Sequence, residues 1–242
     1  MTKIFAHRGF SGKYPENTML AFQKAVELGV DGIELDVQFS KDGKVMIMHD
    51  EMLDRTTDSK GSISDYTYDE LEQFDASYIY RGKVPKNKIP TLDEYFKMIK
   101  NTNIITNIEL KTGVKEYLGI EEKVWELIKK YDLAEKIIIS SFNHFSILRM
   151  KKIAPMLKYG LLSETWILNA GKYTHDLGVQ CYHPIQYNLI PEVIEEIKKY
   201  GIEINTYTVN KEEMIRYMIE NKIDSIIGNS PDLSKKILNE YI

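Results

Sequence analysis

The sequence predicts an α/β fold, a barrel of eight repeated strand–helix units closed around one core. Short stretches rich in Ile and Val alternate with longer stretches of helical period along the whole chain. The 242 residues suit one large domain of that kind with modest loops. Two of the strand candidates, moreover, carry aliphatic residues in one phase and acids in the other, as a strand should when one face packs on helices and the other looks into a barrel.

Taken in order, the strand candidates are residues 3–7, 32–38, 45–49, 104–111, 136–141, 158–163, 179–183, 203–209 and 224–228. The stretch 45–49 reads as a hairpin extension of 32–38 through Lys41-Asp42-Gly43, which leaves eight units. Helices are expected at 16–28, 91–100, 120–131, 144–153, 191–200, 211–221 and 231–241. Pro191 and Pro231 suit a first helical turn, where the missing N–H costs nothing. Gly29 and Gly201 follow the last periodic residues, as C-terminal caps do. The link 166–176 shows no helical pattern and reads as irregular. The segment 51–89 is rich in Asp, Ser, Thr, Tyr and Gly and too long for an ordinary strand–helix loop. It reads as a lobe inserted over the barrel mouth in a single domain of residues 1–242, packed by Leu71, Phe74, Tyr78 and Ile79.

Composition narrows the function. At 43% hydrophobic and 28% charged, the chain can build a core and stay in solution. A net charge of -4 disfavours a nucleic-acid partner, which would call for a basic face. Cys181 is the only cysteine, so no internal disulfide forms. Charged and polar residues arrive at once in Met1-Thr2-Lys3-Ile4-Phe5-Ala6-His7-Arg8, and no apolar run approaches the ~20 residues of a membrane span. A cytoplasmic protein without stable membrane association is expected; oligomeric state is left open.

The residues most telling for chemistry lie in Asp31-Gly32-Ile33-Glu34-Leu35-Asp36-Val37-Gln38. Ile33, Leu35 and Val37 share the face that packs on helices, which turns Glu34 and Asp36 into the barrel mouth. Asn107-Ile108-Glu109-Leu110-Lys111 repeats the device and directs Asn107, Glu109 and Lys111 inward. Two like charges ~4 Å apart cost about 4 kcal/mol at an effective dielectric near 20, so three converging carboxylates call for a cation. Oxygen ligands point to Mg²⁺, Ca²⁺ or Mn²⁺ rather than zinc. The plainer alternative is a set of ion pairs with Arg8 and Lys111. His7 closes the first strand and His49 the hairpin, and two histidines at the mouth could serve as acid and base in phosphodiester cleavage. Arg8 and Lys111 would hold a phosphate. A lone histidine is more often packed than reactive: His144 is expected to open a helix, His175 to lie in the irregular link, and His183 to sit at the rim without a chemical role.

In chain order, His7-Arg8-Gly9, Pro15-Glu16-Asn17-Thr18, Gly32-Ile33-Glu34-Leu35-Asp36-Val37, Asp42-Gly43, His49-Asp50, Arg55-Thr56-Thr57, Ile89-Pro90-Thr91-Leu92, Ile108-Glu109-Leu110-Lys111, Ser141-Phe142, Thr208-Val209-Asn210 and Asn229-Ser230-Pro231 resemble the successive blocks of the glycerophosphodiester phosphodiesterases. The resemblance spans nearly the whole chain. It implies a TIM (β/α)8 barrel with a small insertion after the second strand. It also implies His7 and His49 as the acid–base pair, Glu34, Asp36 and Glu109 as ligands of one divalent ion, and Arg8 and Lys111 on the phosphate. Tyr207 stands where the family usually has a tryptophan, giving the substrate pocket a smaller aromatic wall with a hydroxyl, and Gly228 replaces a threonine.

The expected reaction is hydrolysis of a glycerophosphodiester to glycerol 3-phosphate and an alcohol. Attack by water, or by a glycerol hydroxyl through a cyclic phosphate, is equally compatible with the sequence. Polar residues of the lobe, among them Asp54, Arg55, Asp58, Lys60, Asp65, Asp69, Glu70 and Glu72, suggest small deacylated substrates. Two rivals are a lysophospholipase D or phosphatidylinositol-type phospholipase, which would need an apolar mouth, and an inactive barrel serving as a binding protein, which should have lost a catalytic residue.

Overall fold

The computed structural model describes residues 1–242. Strands β1 (Lys3–His7), β2 (Gly32–Phe39), β3 (Val45–Ile47), β4 (Ile105–Leu110), β5 (Ile137–Ser141), β6 (Lys158–Ser163), β7 (Cys181–Pro184), β8 (Glu203–Thr206) and β9 (Ser225–Gly228) form one sheet. All pairs are parallel except β2–β3, and β1 pairs with both β2 and β9, so eight strands close into a barrel. The hairpin strand β3 stands outside that ring. The helices are α1 (Met19–Leu28), α2 (Tyr68–Leu71), α3 (Leu92–Ile99), α4 (Ile120–Lys130), α5 (His144–Ile153), α6 (Ala170–Asp176), α7 (Pro191–Lys199), α8 (Glu212–Glu220) and α9 (Pro231–Leu238). None is long and apolar enough to cross a membrane.

Strand alternation sorts the side chains. Ile4 and Ala6, Ile33, Leu35 and Val37, and Ile108 and Leu110 face outward and join the helices in a cluster of 46 buried residues. The barrel interior holds a smaller apolar plug of Phe5, Ile138 and Ile227. Two inward-facing glycines make room for rings there. A Cβ on Gly32 would lie 2.6 Å from the Phe5 ring, and one on Gly160 would lie 2.3 Å from His183 Nε2.

Several expectations need correction. The link 166–176 contains α6, whose exposed sequence shows little periodicity because only Ala170, Gly171 and Thr174 are buried. Its first turn is capped from a distance, since Glu196 of α7 accepts the N–H groups of Gly171 at 2.7 Å and Lys172 at 3.1 Å. Helix α1 begins at Met19 rather than residue 16, because Asn17 adopts φ 54° and Thr18 takes the N-cap. His183 lies fully buried inside the barrel, not at the rim. In the lobe, Leu71 is buried and Phe74 packs beside it, but Tyr78 and Ile79 are exposed. Met46, Met48, Leu53, Ile63, Ala76 and Ile89 complete that core instead, so methionines of the hairpin seat the lobe on the barrel.

Candidate active site

At the C-terminal ends of β2 and β4, Asp36 sits opposite Glu109 in register, with Glu34 one inward position below. One carboxylate oxygen from each of Glu34, Asp36 and Glu109 lies within 4.8 Å of the others, and all three residues are buried. At an effective dielectric near 20, each ionised pair would repel by at least about 3.5 kcal/mol. Nearby donors offset part of this. Arg8 Nε lies 3.5 Å from Asp36 Oδ2, and the Arg8 main-chain N–H donates to Glu34 Oε2 at 2.9 Å. Lys111 Nζ donates to Glu109 Oε1 at 2.9 Å, and Asn17 Nδ2 donates to Asp36 Oδ2 at 2.8 Å. Arg8 reaches in this way because it too adopts a left-handed φ of 54°, in a loop that brings the Asn17 N–H back to its carbonyl.

The charges divide unevenly. Burial, then Asp36 and Glu109, push the Glu34 carboxyl well above its ordinary pKa; burial and Asp36 push Glu109 up as well. Burial also opposes ionisation of Asp36, but Arg8, His49, Lys111 and Asn17 outweigh it and hold its pKa down. Asp36 Oδ1 is buried without a hydrogen-bond partner. An all-oxygen donor set, one orphaned oxygen and acids disfavoured as a group fit a hard divalent ion at Glu34, Asp36 and Glu109. The ion pairs with Arg8 and Lys111 exist but do not satisfy the triad.

Both site histidines are held through Nδ1. His7 Nδ1 lies 2.6 Å from Asn229 Oδ1, while its Nε2 is 3.9 Å from Glu34 Oε2. Burial, then the neighbouring Arg8, lower the His7 pKa to about 4. His49 follows β3, and its Nδ1 lies 2.6 Å from Asp50 Oδ1. Burial raises the Asp50 pKa, but Arg55 and His49 outweigh it and bring the carboxyl down to about 2. Gln38 secures this turn: its Nε2 donates to the carbonyls of Met48, His49 and Asp50 at 2.9, 3.2 and 2.8 Å, and Tyr117 donates to its Oε1 at 2.9 Å. Asn17 and Gln38 are buried positioning groups that the sequence reading did not single out, although both fall in phase with, or beside, the acids.

Tyr207 lies deeper on the far wall, where its hydroxyl donates to the Ser163 carbonyl at 3.2 Å and its ring meets Phe142 edge-on at 5.9 Å. Gly228 leaves space for the main chain beside it, since a Cβ there would lie 2.3 Å from Val209 O. A cleft lined by His49, Glu109, Lys111, Val114, Phe142 and Glu164 opens beside the acids. Val114 of that cleft, Leu118, Trp166 and Leu168 in the loops after β4 and β6, and Phe145 in the first turn of α5 are exposed. Another concavity, bounded by Asp42, Lys44, Tyr68, Glu94 and Lys130, lies elsewhere and holds none of these site groups.

A model of the glycerophosphoryl diester phosphodiesterase family matches residues 7–233, which include every residue of this cluster. The chain belongs to that family. A glycerophosphodiester phosphodiesterase of Caldanaerobacter subterraneus is 43% identical over 231 residues, covering 96% of this chain and 95% of its own. Among solved structures, a glycerophosphodiester phosphodiesterase of Thermotoga maritima is 32% identical with a TM-score of 0.78, covering 98% of both chains. An Oleispira antarctica phosphodiesterase, solved with its product sn-glycerol-3-phosphate, is 28% identical with a TM-score of 0.90 and covers 99% of this chain and 97% of its own. The barrel is therefore the family's TIM barrel, and the chain is a phosphodiester hydrolase by membership.

Proposed function

We propose that this chain hydrolyses glycerophosphodiesters to glycerol 3-phosphate and an alcohol, in a site formed by His7, Arg8, Glu34, Asp36, His49, Glu109 and Lys111. The observation that carries the proposal is the convergence of three buried carboxylates with two histidines and two cations at one end of the barrel. The product held by the Oleispira antarctica relative supports the glycerol side of the assignment. The working unit is the whole chain, 1–242, as one domain with the lobe at about 51–89 as its cover.

Glu34, Asp36 and Glu109 would hold one divalent cation, Mg²⁺ or Ca²⁺, with Mn²⁺ also suited to the ligand type. When bound, such an ion would polarise a phosphoryl oxygen and offset the charge that develops on it. Arg8 and Lys111 contact the phosphate and supply further positive charge. One of His7 and His49 removes a proton from the attacking hydroxyl, that of water or of the substrate's own glycerol. The other protonates the departing alkoxide as the phosphorus–oxygen bond breaks. The Nδ1 partners of both rings leave Nε2 free for those transfers. Tyr207, with Phe142, walls the substrate pocket.

The test is ³¹P NMR of glycerophosphocholine and glycerophosphoethanolamine incubated with the protein, in excess chelator and with each ion added back. Glycerol 3-phosphate should accumulate only when an ion is present. Full turnover in chelator, with no metal by elemental analysis, would remove the ion from the mechanism; no hydrolysis with any ion would refute the function. A second reading, cleavage of lysophospholipids, is favoured by the exposed Val114, Phe145, Trp166 and Leu168 near the cleft. It wins if kcat/KM for a lysophospholipid below its micelle threshold exceeds that for the deacylated diester.

A further inference from the structure

Arg55 lies in the lobe, at the end of the short turn Leu53–Arg55, with its side chain half-exposed. Its fork grips two carboxylates at once. Nε and Nη2 donate to Asp50 Oδ2 and Oδ1 at 2.6 and 3.1 Å. Nη1 and Nη2 donate to Glu16 Oε2 and Oε1 at 2.8 and 2.7 Å. Four of its five N–H bonds are thus used. Each carboxylate also holds a site residue. Asp50 Oδ1 lies 2.6 Å from His49 Nδ1, and Glu16 Oε1 accepts from Arg8 Nη1 at 2.8 Å. Without the guanidinium, Asp50 and Glu16 would be two like charges with nothing between them, free to turn away from one another. Both His49 and Arg8 would then lose a fixed partner.

We propose that Arg55 is a positioning residue that sets His49 and Arg8 in register through Asp50 and Glu16, so that one side chain of the lobe aligns a proton-transfer group and a phosphate-binding cation together. The inference rests on the roles given above to His49 and Arg8. Asp50 fixes the His49 tautomer with the proton on Nδ1, and Arg55 fixes Asp50. A lysine cannot replace the fork, because a point charge satisfies neither bidentate pair in full.

The variants are Arg55→Ala, Arg55→Lys and Asp50→Asn, with His49→Ala as the reference for the underlying reading. Arg55→Ala should lower kcat by about 10- to 100-fold, as loss of a residue that orients a site ligand does, and Arg55→Lys nearly as much. Added guanidinium should restore part of the Arg55→Ala loss. Long-range ¹H–¹⁵N spectra should show His49 with its proton on Nδ1 in the wild type and as a tautomer mixture in Arg55→Ala. Arg55→Ala combined with Asp50→Asn should cost less than the product of the single losses, since both act on the same ring. Wild-type kcat in Arg55→Ala would overturn the proposal, as would a loss with no guanidinium rescue and an unchanged His49 tautomer. If circular dichroism shows that Arg55→Ala unfolds, Arg55→Lys carries the test: a folded protein with wild-type kcat overturns it. Wild-type turnover in His49→Ala would instead refute the catalytic reading beneath, whatever Arg55 does.

Discussion

A histidine gripped through Nδ1 presents its other nitrogen in a fixed direction. His7 is gripped by an amide and His49 by a carboxylate that Arg55 in turn restrains. His7→Ala and His49→Ala are each expected to lower kcat by about 10²–10⁴-fold, with smaller changes in KM. An aryl phosphodiester, whose leaving group needs little protonation, should recover the rate of whichever variant lacks the acid. Equal turnover of both variants and the wild type on glycerophosphocholine would show the pairing to be wrong. Strand phase made the convergence of Glu34, Asp36 and Glu109 legible, because a period of two leaves an inward acid few other places to go. Asn17 and Gln38 were harder to recognise. Their bonds run to Asp36 and to the carbonyls of residues 48–50, and amide side chains carry no signature of such targets. His183 was misplaced for a related reason: its neighbour Gly160, which makes room for the ring, belongs to another strand.

Elements whose own faces bury apolar residues were readable, and those held from elsewhere were not. Helices α3, α4, α7 and α8 place aliphatic residues on the barrel at helical spacing. Helix α6 does not. It depends on the Glu196 carboxylate over its first turn and on close approach to α7, where a Cβ on Gly171 would meet Ile197 Cα at 2.6 Å. Gly171→Ala should therefore destabilise the protein by about 1–3 kcal/mol, although alanine is the better helix former in isolation. Glu196→Ala should cost about 1 kcal/mol through the lost cap. Urea unfolding of both variants checks this, and a Gly171→Ala protein as stable as the wild type would show that α6 and α7 can move apart freely.

For the whole molecule, the barrel interior sets a limit on acid tolerance. His183 Nε2 lies 2.9 Å from Asn205 Nδ2, and its Nδ1 is buried without a partner. Burial, then Lys158, hold the His183 pKa down to about 3, against an ordinary value near 6.5. A histidine with a depressed folded pKa favours the fold above its unfolded pKa and surrenders that contribution as pH falls towards the folded one. The wild type should thus lose up to a few kcal/mol between about pH 6.5 and pH 3 from this residue. His183→Gln should lack that part of the acid limb, so the two stability curves, measured by urea unfolding across this range, should converge as pH falls. Parallel curves would refute the assignment.

The hairpin that carries His49 divides the site between two pieces of backbone. The acids and Lys111 belong to, or directly follow, strands flanked on both sides within the ring. By contrast, β3 lies outside the ring: it pairs with β2 through three residues, meets the chain before α3 at Met46 and Ile47, and buries its side chains against both the barrel helices and the lobe, with Gln38 fastening the turn beyond it. The carboxylate cluster and one of the two site histidines therefore belong to different pieces of backbone, joined where Gln38 of β2 ties down the turn at residues 48–50.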